Sequence, residues 1–149
     1  MIAHISGKVR YKKQLSAVID VNGISYEVMI PPAVMKGLDK AKTADGVITL
    51  ITYHYYQMDQ SKAIPVLVGF LSEIEKEFFE HFITVSGVGP KAACRALIRP
   101  FSVIAGAIDR GDMAMLKTMP GIGEQKAREI IAKLQGKIGK FGLIQDGGD

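Results

Sequence analysis

The first seventy residues alternate between apolar and polar positions in short runs, and this period of two is typical of β-strands. Between two of the runs, Asn22-Gly23 is a two-residue sequence that favours a β-hairpin turn. The pattern predicts five strands at residues 2–9, 15–21, 24–30, 47–56 and 64–70, with a helical turn or loop at 34–42 and a polar loop at 57–62. Such strands predict a five-stranded OB-fold β-barrel over residues 1–70, although a five-stranded sandwich fits the same pattern.

The period changes after residue 70, where apolar side chains recur at helical spacing. Ile74, Phe78 and Phe82 share one helical face, and Ser72 with Glu75 forms a capping box that marks the start of the helix. Further helices are predicted at residues 90–98, 102–109, 113–117 and 124–134. The chain is therefore predicted to be α+β, with an all-α domain over residues 71–136. Residues 137–149 lose the periodicity and are predicted to be a tail or the start of a linker.

A short phrase built on two glycines occurs twice in the helical region. Residues 85–89 read Val-Ser-Gly-Val-Gly and residues 119–123 read Met-Pro-Gly-Ile-Gly, so the second copy begins 34 residues after the first. We call these segments the first and second glycine turns. Paired glycines allow a sharp turn with positive φ. The helix that follows presents free N–H groups and the positive end of its dipole, which suits a phosphate.

The charge along the chain favours the same interpretation. Residues 85–141 carry ten Lys and Arg against four Asp and Glu, an excess of six positive charges, whereas residues 71–84 carry four Glu against one Lys. Basic charge around the glycine turns is the expected footprint of a surface that binds nucleic-acid phosphates. The alternative is a pair of turns that need glycine only for helix packing, surrounded by ordinary solvated Lys and Arg.

Other functional classes find less support in the residues. No Walker motif is present, so the chain is not expected to hydrolyse ATP, and its three His have no metal-ligand spacing. We therefore predict no catalytic residue, metal or cofactor. Cys94 is the single cysteine, which fits a reducing cytoplasm, and we expect it to be buried and unreactive. The apolar stretches are too short to span a membrane, and no secretory signal is evident.

Several segments together resemble the RuvA family, subunits of the bacterial Holliday junction branch-migration complex. The resemblance covers essentially the whole chain and rests on Met1-Ile2, the hairpin at residues 22–28, Gly69-Phe70 before an acidic helix, Ser86-Gly87-Val88-Gly89-Pro90-Lys91 and the second glycine turn. It implies an OB barrel followed by two helix-hairpin-helix motifs. It also implies a homotetramer, with one or two tetramers on an open four-way junction. The implied protein partners are the ATPase motor RuvB and the resolvase RuvC.

The resemblance further implies which residues contact the DNA backbone. They are Gly87, Val88, Gly89 and Lys91 at the first glycine turn, and Gly121, Ile122, Gly123 and Lys126 at the second. Main-chain N–H groups hold phosphates without reading bases, so recognition would follow junction shape. The family often has two Lys after the second turn, whereas this chain has Glu124-Gln125 before Lys126. The family's acidic pin corresponds to the loop at 57–62, where Asp59 is the candidate and a plain solvated turn is the alternative.

The sequence thus predicts a non-catalytic, structure-specific DNA-binding subunit. Its expected role is to recognise Holliday junctions and hold them open for ATP-driven branch migration during recombination and repair in the cytoplasm. We expect the family's C-terminal motor-binding domain to be missing, because the chain stops where the linker would begin. The alternatives are a helix-hairpin-helix repair enzyme and a generic duplex- or RNA-binding OB module. A glycosylase would need a catalytic Asp, for which Asp146 is the candidate, and a nuclease would need clustered carboxylates.

Overall fold

The structure is a computed structural model that describes residues 1–143. The chain divides into two compact units, with the division between Lys76 and Glu77. The first unit holds the five strands predicted from the alternating pattern. Their bounds are β1 (His4–Lys12), β2 (Ser16–Val21), β3 (Ile24–Met29), β4 (Val47–Asp59) and β5 (Lys62–Phe70).

These five strands form a closed barrel with the neighbour order β1-β2-β3-β5-β4. Pairing of β1 with β4 closes the barrel, and the contact between β3 and β5 is parallel while all other pairs are antiparallel. The OB-like barrel predicted from the sequence is therefore confirmed, and the sandwich alternative is wrong. The inward positions of the strands supply the core, including Ile19, Val28, Leu50 and Phe70, none of which has exposed surface.

The tightest connection in the barrel is the β2–β3 hairpin. Asn22 and Gly23 both have positive φ, at 52° and 91°, as a two-residue hairpin with the strand's own twist requires. The Gly23 N–H donates to the Asp20 carboxylate at 2.9 Å, which holds the turn from its first strand. Val21 and Ile24 face each other across it, so the register matches the alternation in the sequence.

Two connections in this unit differ from the predictions. The segment at 34–42, predicted as a helical turn or loop, contains the end of one short helix and the whole of another, α1 (Pro32–Met35) and α2 (Leu38–Ala41). Val34 and Leu38 anchor these helices in the core. The predicted loop at 57–62 is wrong, because β4 and β5 continue through it and only Gln60 and Ser61 form the turn. Polar side chains hid this extension from the sequence pattern, since both faces of the two-stranded ribbon are exposed.

The second unit and the helix that leads into it contain the five predicted helices. Their bounds are α3 (Glu73–Phe82), α4 (Pro90–Ala96), α5 (Phe101–Arg110), α6 (Met113–Leu116) and α7 (Glu124–Leu134). An aromatic cluster fills the core of the unit. The ring of Phe78 stacks on Phe82 at 5.9 Å and on Phe101 at 5.0 Å between centroids, and Phe141 meets it edge-on at 5.5 Å.

Ser72 and Glu75, the two residues of the predicted capping box, both accept main-chain hydrogen bonds at the start of α3. The Ser72 hydroxyl accepts from the Glu75 N–H at 3.2 Å, and the Glu75 carboxylate accepts from the Leu71 N–H at 2.8 Å. Glu75 is buried by this arrangement. Ile74, which the helical spacing assigned to the apolar face, is half exposed, and Phe79 is buried instead.

The end of the described chain is more ordered than its sequence suggested. Residues Gly139–Leu143 form a 3-10 turn, and Ile138 and Phe141 are fully buried in the second unit. Phe141 contacts the rings of Phe78 and His81, and Lys140 pairs with Glu77 at 2.7 Å. Residues 137–143 therefore do not form the free tail that the lost periodicity predicted. The rest of that predicted tail, with Asp146, lies outside the described residues.

Candidate nucleic-acid interface

The two glycine turns have the same main-chain hydrogen bonding, 34 residues apart. Each connects a helix to the next one, α3 to α4 in the first case and α6 to α7 in the second. The donor–acceptor pairs of the first turn are Thr84–His81, Val88–Val85 and Ala93–Gly89, and those of the second are Thr118–Met115, Ile122–Met119 and Ala127–Gly123. The duplication seen in the sequence is therefore a duplication of structure.

The threonine that precedes each turn has a matching role. The Thr84 hydroxyl donates to the His81 carbonyl at 2.6 Å, and the Thr118 hydroxyl donates to the Met115 carbonyl at 2.6 Å. These bonds satisfy carbonyl groups that a helix end leaves without an intrahelical partner. They explain why the two copies share Thr as well as glycine.

The first glycine of each turn requires glycine's conformational freedom, and the second leaves open space. Gly87 and Gly121 have φ of 84° and 78°, which side chains with a Cβ rarely adopt. Gly89 and Gly123 are extended, and a Cβ on either would meet no atom within 4 Å. No side chain caps the helix that begins after Gly89 or Gly123. Each turn thus presents exposed main chain, as a phosphate-binding surface needs.

The apolar residue between the two glycines of each turn is buried and does not face solvent. Val88 and Ile122 are buried, together with Val85 and Met119 at the start of each turn. The N–H groups of Val88 and Ile122 already donate inside the turn, at 3.0 and 3.1 Å. The structure therefore places these two residues in the packing of the turns, and the exposed surface comes from the glycines and the helix residues after them.

The two lysines predicted for the interface lie close to the same turn. Lys91, in the first turn of α4, is exposed. Lys126 belongs by sequence to the second glycine turn, but its Cε atom lies 3.7 Å from where a Cβ on Gly87 would be. Lys126 thus reaches from α7 to the first glycine turn. Sequence spacing could not reveal this, because it depends on how the two copies pack together.

The acidic residue that follows the second glycine turn is paired with cations. Glu124 accepts from Arg128 at 2.7 Å, one helical turn along α7, and lies 3.6 Å from the Lys117 ammonium. A carboxylate at a helix N-terminus also complements the helix dipole. Glu124 is therefore offset by two cations and does not stand alone at the turn.

Sequence reasoning missed one basic residue at this surface. The Arg99 guanidinium, from the connection after α4, donates to the Thr118 hydroxyl at 3.1 Å. It links the segment after the first copy to the residue just before the second glycine turn. Its only sequence signal was membership in the basic stretch.

Asp59, the candidate pin, lies in the barrel unit at the end of the β4–β5 ribbon. It is exposed and sits directly opposite Lys62 across the two-residue turn. Tyr56, Met58 and Ile64 are exposed along the same ribbon, at 60%, 73% and 47%, so its tip is more apolar than acidic. Within residues 1–143, no group of three His, Cys, Asp or Glu could hold a metal ion.

Cys94 is buried, and this burial raises the pKa of its thiol to about 12. None of the helices in the described chain combines the length and apolar character needed to cross a membrane.

A closed barrel followed by paired glycine turns defines a class of small, tandem helix-hairpin-helix protein, and comparisons with known proteins identify its family. The RuvA N terminal domain family matches residues 1–62, and the SAM-like helix-hairpin-helix tandem family matches residues 79–136. The chain belongs to the RuvA family.

Relatives along nearly the whole chain support this assignment. A Holliday junction branch migration complex subunit RuvA from Desulforapulum autotrophicum is 39% identical over 98% of this chain and 67% of the relative. The proteins of that name from Desulfosudis oleivorans and Rhodopirellula baltica are 38% and 32% identical, over 95% and 100% of this chain and 67% and 72% of their own lengths. The match thus spans about two thirds of each relative.

Proposed function

We propose that this chain is a non-catalytic DNA-binding subunit that recognises four-way Holliday junctions. It holds the junction open while a partner motor drives branch migration with ATP. The observation that carries the proposal is the pair of exposed glycine turns with identical hydrogen bonding, in a chain of the RuvA family. In recombination and repair, this activity would act on the crossover itself and not on a base sequence.

The chemistry of the turns supports recognition by shape. Gly89 and Gly123 are exposed, so their main-chain N–H groups are suited to phosphate oxygens, and such contacts carry no base-sequence information. Two turns in one unit can contact two phosphates at a fixed separation. Such contacts select the spacing of backbone strands, which differs between a junction and a linear duplex.

The assembly belongs to the same proposal. A homotetramer would place four copies of the paired turns around four arms, so that the symmetry of the protein matches that of the DNA. The ATPase motor RuvB and the resolvase RuvC are the proposed partners, and the cytoplasm is the proposed compartment. Light scattering of the purified chain at micromolar concentrations tests the tetramer, and a monomer throughout would contradict it.

Asp59 is the proposed pin residue at the crossover. Asp59 lies at the exposed end of the β4–β5 ribbon, a position that would allow it to contact the DNA strands that separate at the crossover. A junction with 2-aminopurine at the crossover reports this opening as fluorescence. Asp59→Asn should reduce the fluorescence rise on binding, and an unchanged rise would exclude the role.

The main experiment compares affinity for a four-way junction with affinity for a linear duplex of equal length. We expect clear preference for the junction, and a loss of about tenfold in junction affinity when Gly89→Ala and Gly123→Ala are combined, because each methyl group lies where a phosphate would approach. Both positions have φ near −90° with extended ψ, so alanine fits without strain.

Gly142→Ala is the matched control, because it too adds a methyl group in open space and is not part of either turn. All variants should keep the thermal midpoint of the parent chain. Equal affinity for duplex and junction would overturn junction recognition. Parent-like affinity in the folded double variant would overturn the role of the turns, and strand cleavage or base release by the pure chain would favour the repair-enzyme alternative.

A further inference from the structure

One lysine of the second copy of the duplicated motif reaches the glycine turn of the first copy. Lys126 is the third residue of α7, directly after the second glycine turn. Its Cε nevertheless lies 3.7 Å from where a Cβ on Gly87, in the first glycine turn, would be. The ammonium group at the end of this side chain is therefore a neighbour of the first turn.

The two copies differ at the position of this lysine. The residue equivalent to Lys126 in the first copy, 34 positions earlier, is Ala92. Ala92 has no charged group that could approach the second glycine turn. The backbone of the two copies is therefore alike, but their side chains differ at this position. Of this equivalent pair of residues, only Lys126 can bring a positive charge to the glycine turn of the other copy.

Lys126 also lacks a competing partner within the described residues. Glu124, two residues away, is bound to Arg128 and Lys117, and no ion pair of Lys126 is present within 4.0 Å. Lys91, exposed beside the first turn, likewise has no ion pair among residues 1–143. Within the described residues, the first glycine turn is thus followed in sequence by one cation without an ion pair, Lys91, and approached by a second, Lys126.

We propose that Lys126 supplies its charge to the DNA phosphate held at the first glycine turn, and not to the one at the second. Lys91 and Lys126 would then approach that phosphate from two helices, with the main chain of Gly87 and Gly89 between them. The inference rests on the proposed DNA-binding function and assigns one of its contacts. It predicts that the two turns are coupled through one side chain, so that neither is an independent binding element.

The test is a double-mutant cycle on the full chain, with binding measured to both the junction and a linear duplex across a salt series. Lys126→Gln should weaken binding and reduce the magnitude of the salt slope by about one for each chain bound, as loss of one phosphate contact per chain does. In the Gly89→Ala background, Lys126→Gln should cost much less than in the parent. In the Gly123→Ala background it should cost the full amount.

Lys133→Gln is the matched control, because Lys133 is an exposed lysine at the other end of α7. Its effect on affinity should be small and the same in the parent, Gly89→Ala and Gly123→Ala backgrounds. Coupling of Lys126 to Gly123 and not to Gly89 would overturn the inference in favour of the second turn. Full cost in both backgrounds, or an unchanged salt slope, would exclude a phosphate contact at the first turn.

Failure of the broader function would look different. A chain that binds junction and duplex equally would contradict junction recognition, while the cycle read on the duplex would still decide where Lys126 acts. A chain that prefers junctions but shows no coupling with Gly89 would retain the function and lose this assignment.

Discussion

Cys94 lies on the buried face of α4, and burial raises the pKa of its thiol from an ordinary 9.0 to about 12. We expect alkylation by iodoacetamide at pH 8 to be about a thousandfold slower in the folded chain than in urea, because the thiolate fraction falls tenfold for each pH unit between these values. Folding stability from this thiol is fully present below pH 9 and is lost as the pH rises towards 12. Mass spectrometry of the adduct gives the rate, and fast labelling of the folded chain would show an accessible Cys94.

At the scale of one element, the 3-10 turn at Gly139–Leu143 is anchored by a single aromatic ring. Phe141 is buried against Phe78 and His81, so Phe141→Ala should lower the free energy of unfolding by about 3–5 kcal/mol through lost burial and a cavity. Leu143→Ala in the same turn is the control. Its side chain is 82% exposed, and a surface change of this kind costs less than about 0.5 kcal/mol. Denaturant melts measure both, and equal effects would mean that Phe141 does not anchor the turn.

The sequence predicted the features that depend on neighbouring residues, and it failed for those that depend on residues distant in the chain. Local rules located the β2–β3 hairpin from Asn22-Gly23 and the two glycine turns from their repeated phrase. The same rules placed Ile74 on a buried face and residues 137–143 in a tail, because burial of Ile74 and Phe141 depends on distant parts of the chain. The approach of Lys126 to Gly87 is of the same kind, since it joins residues far apart in sequence.

For the molecule as a whole, the uneven distribution of charge along the chain can be tested through the salt dependence of DNA affinity. The net charge is +4, while residues 85–141, which contain both glycine turns, carry an excess of six positive charges. Cations near a phosphate release counterions when DNA binds, so affinity should fall linearly on logarithmic axes as salt rises, with a slope of about −0.9 for each phosphate neutralised. Lys91 and Lys126 alone therefore predict a slope of about −2 per chain, and a tetramer multiplies it.

This slope distinguishes the proposed interface from a generic one. A surface that binds DNA through scattered lysines would keep most of its slope in Lys126→Gln and would lose a similar share in Lys133→Gln. The proposed interface should lose about one per bound chain in the Lys126 variant and almost none in the Lys133 variant. Titrations of labelled junction at several potassium concentrations provide both slopes. Affinity that does not change with salt would mean that phosphates are not the main contact, and the paired glycine turns could then not be the DNA-binding surface.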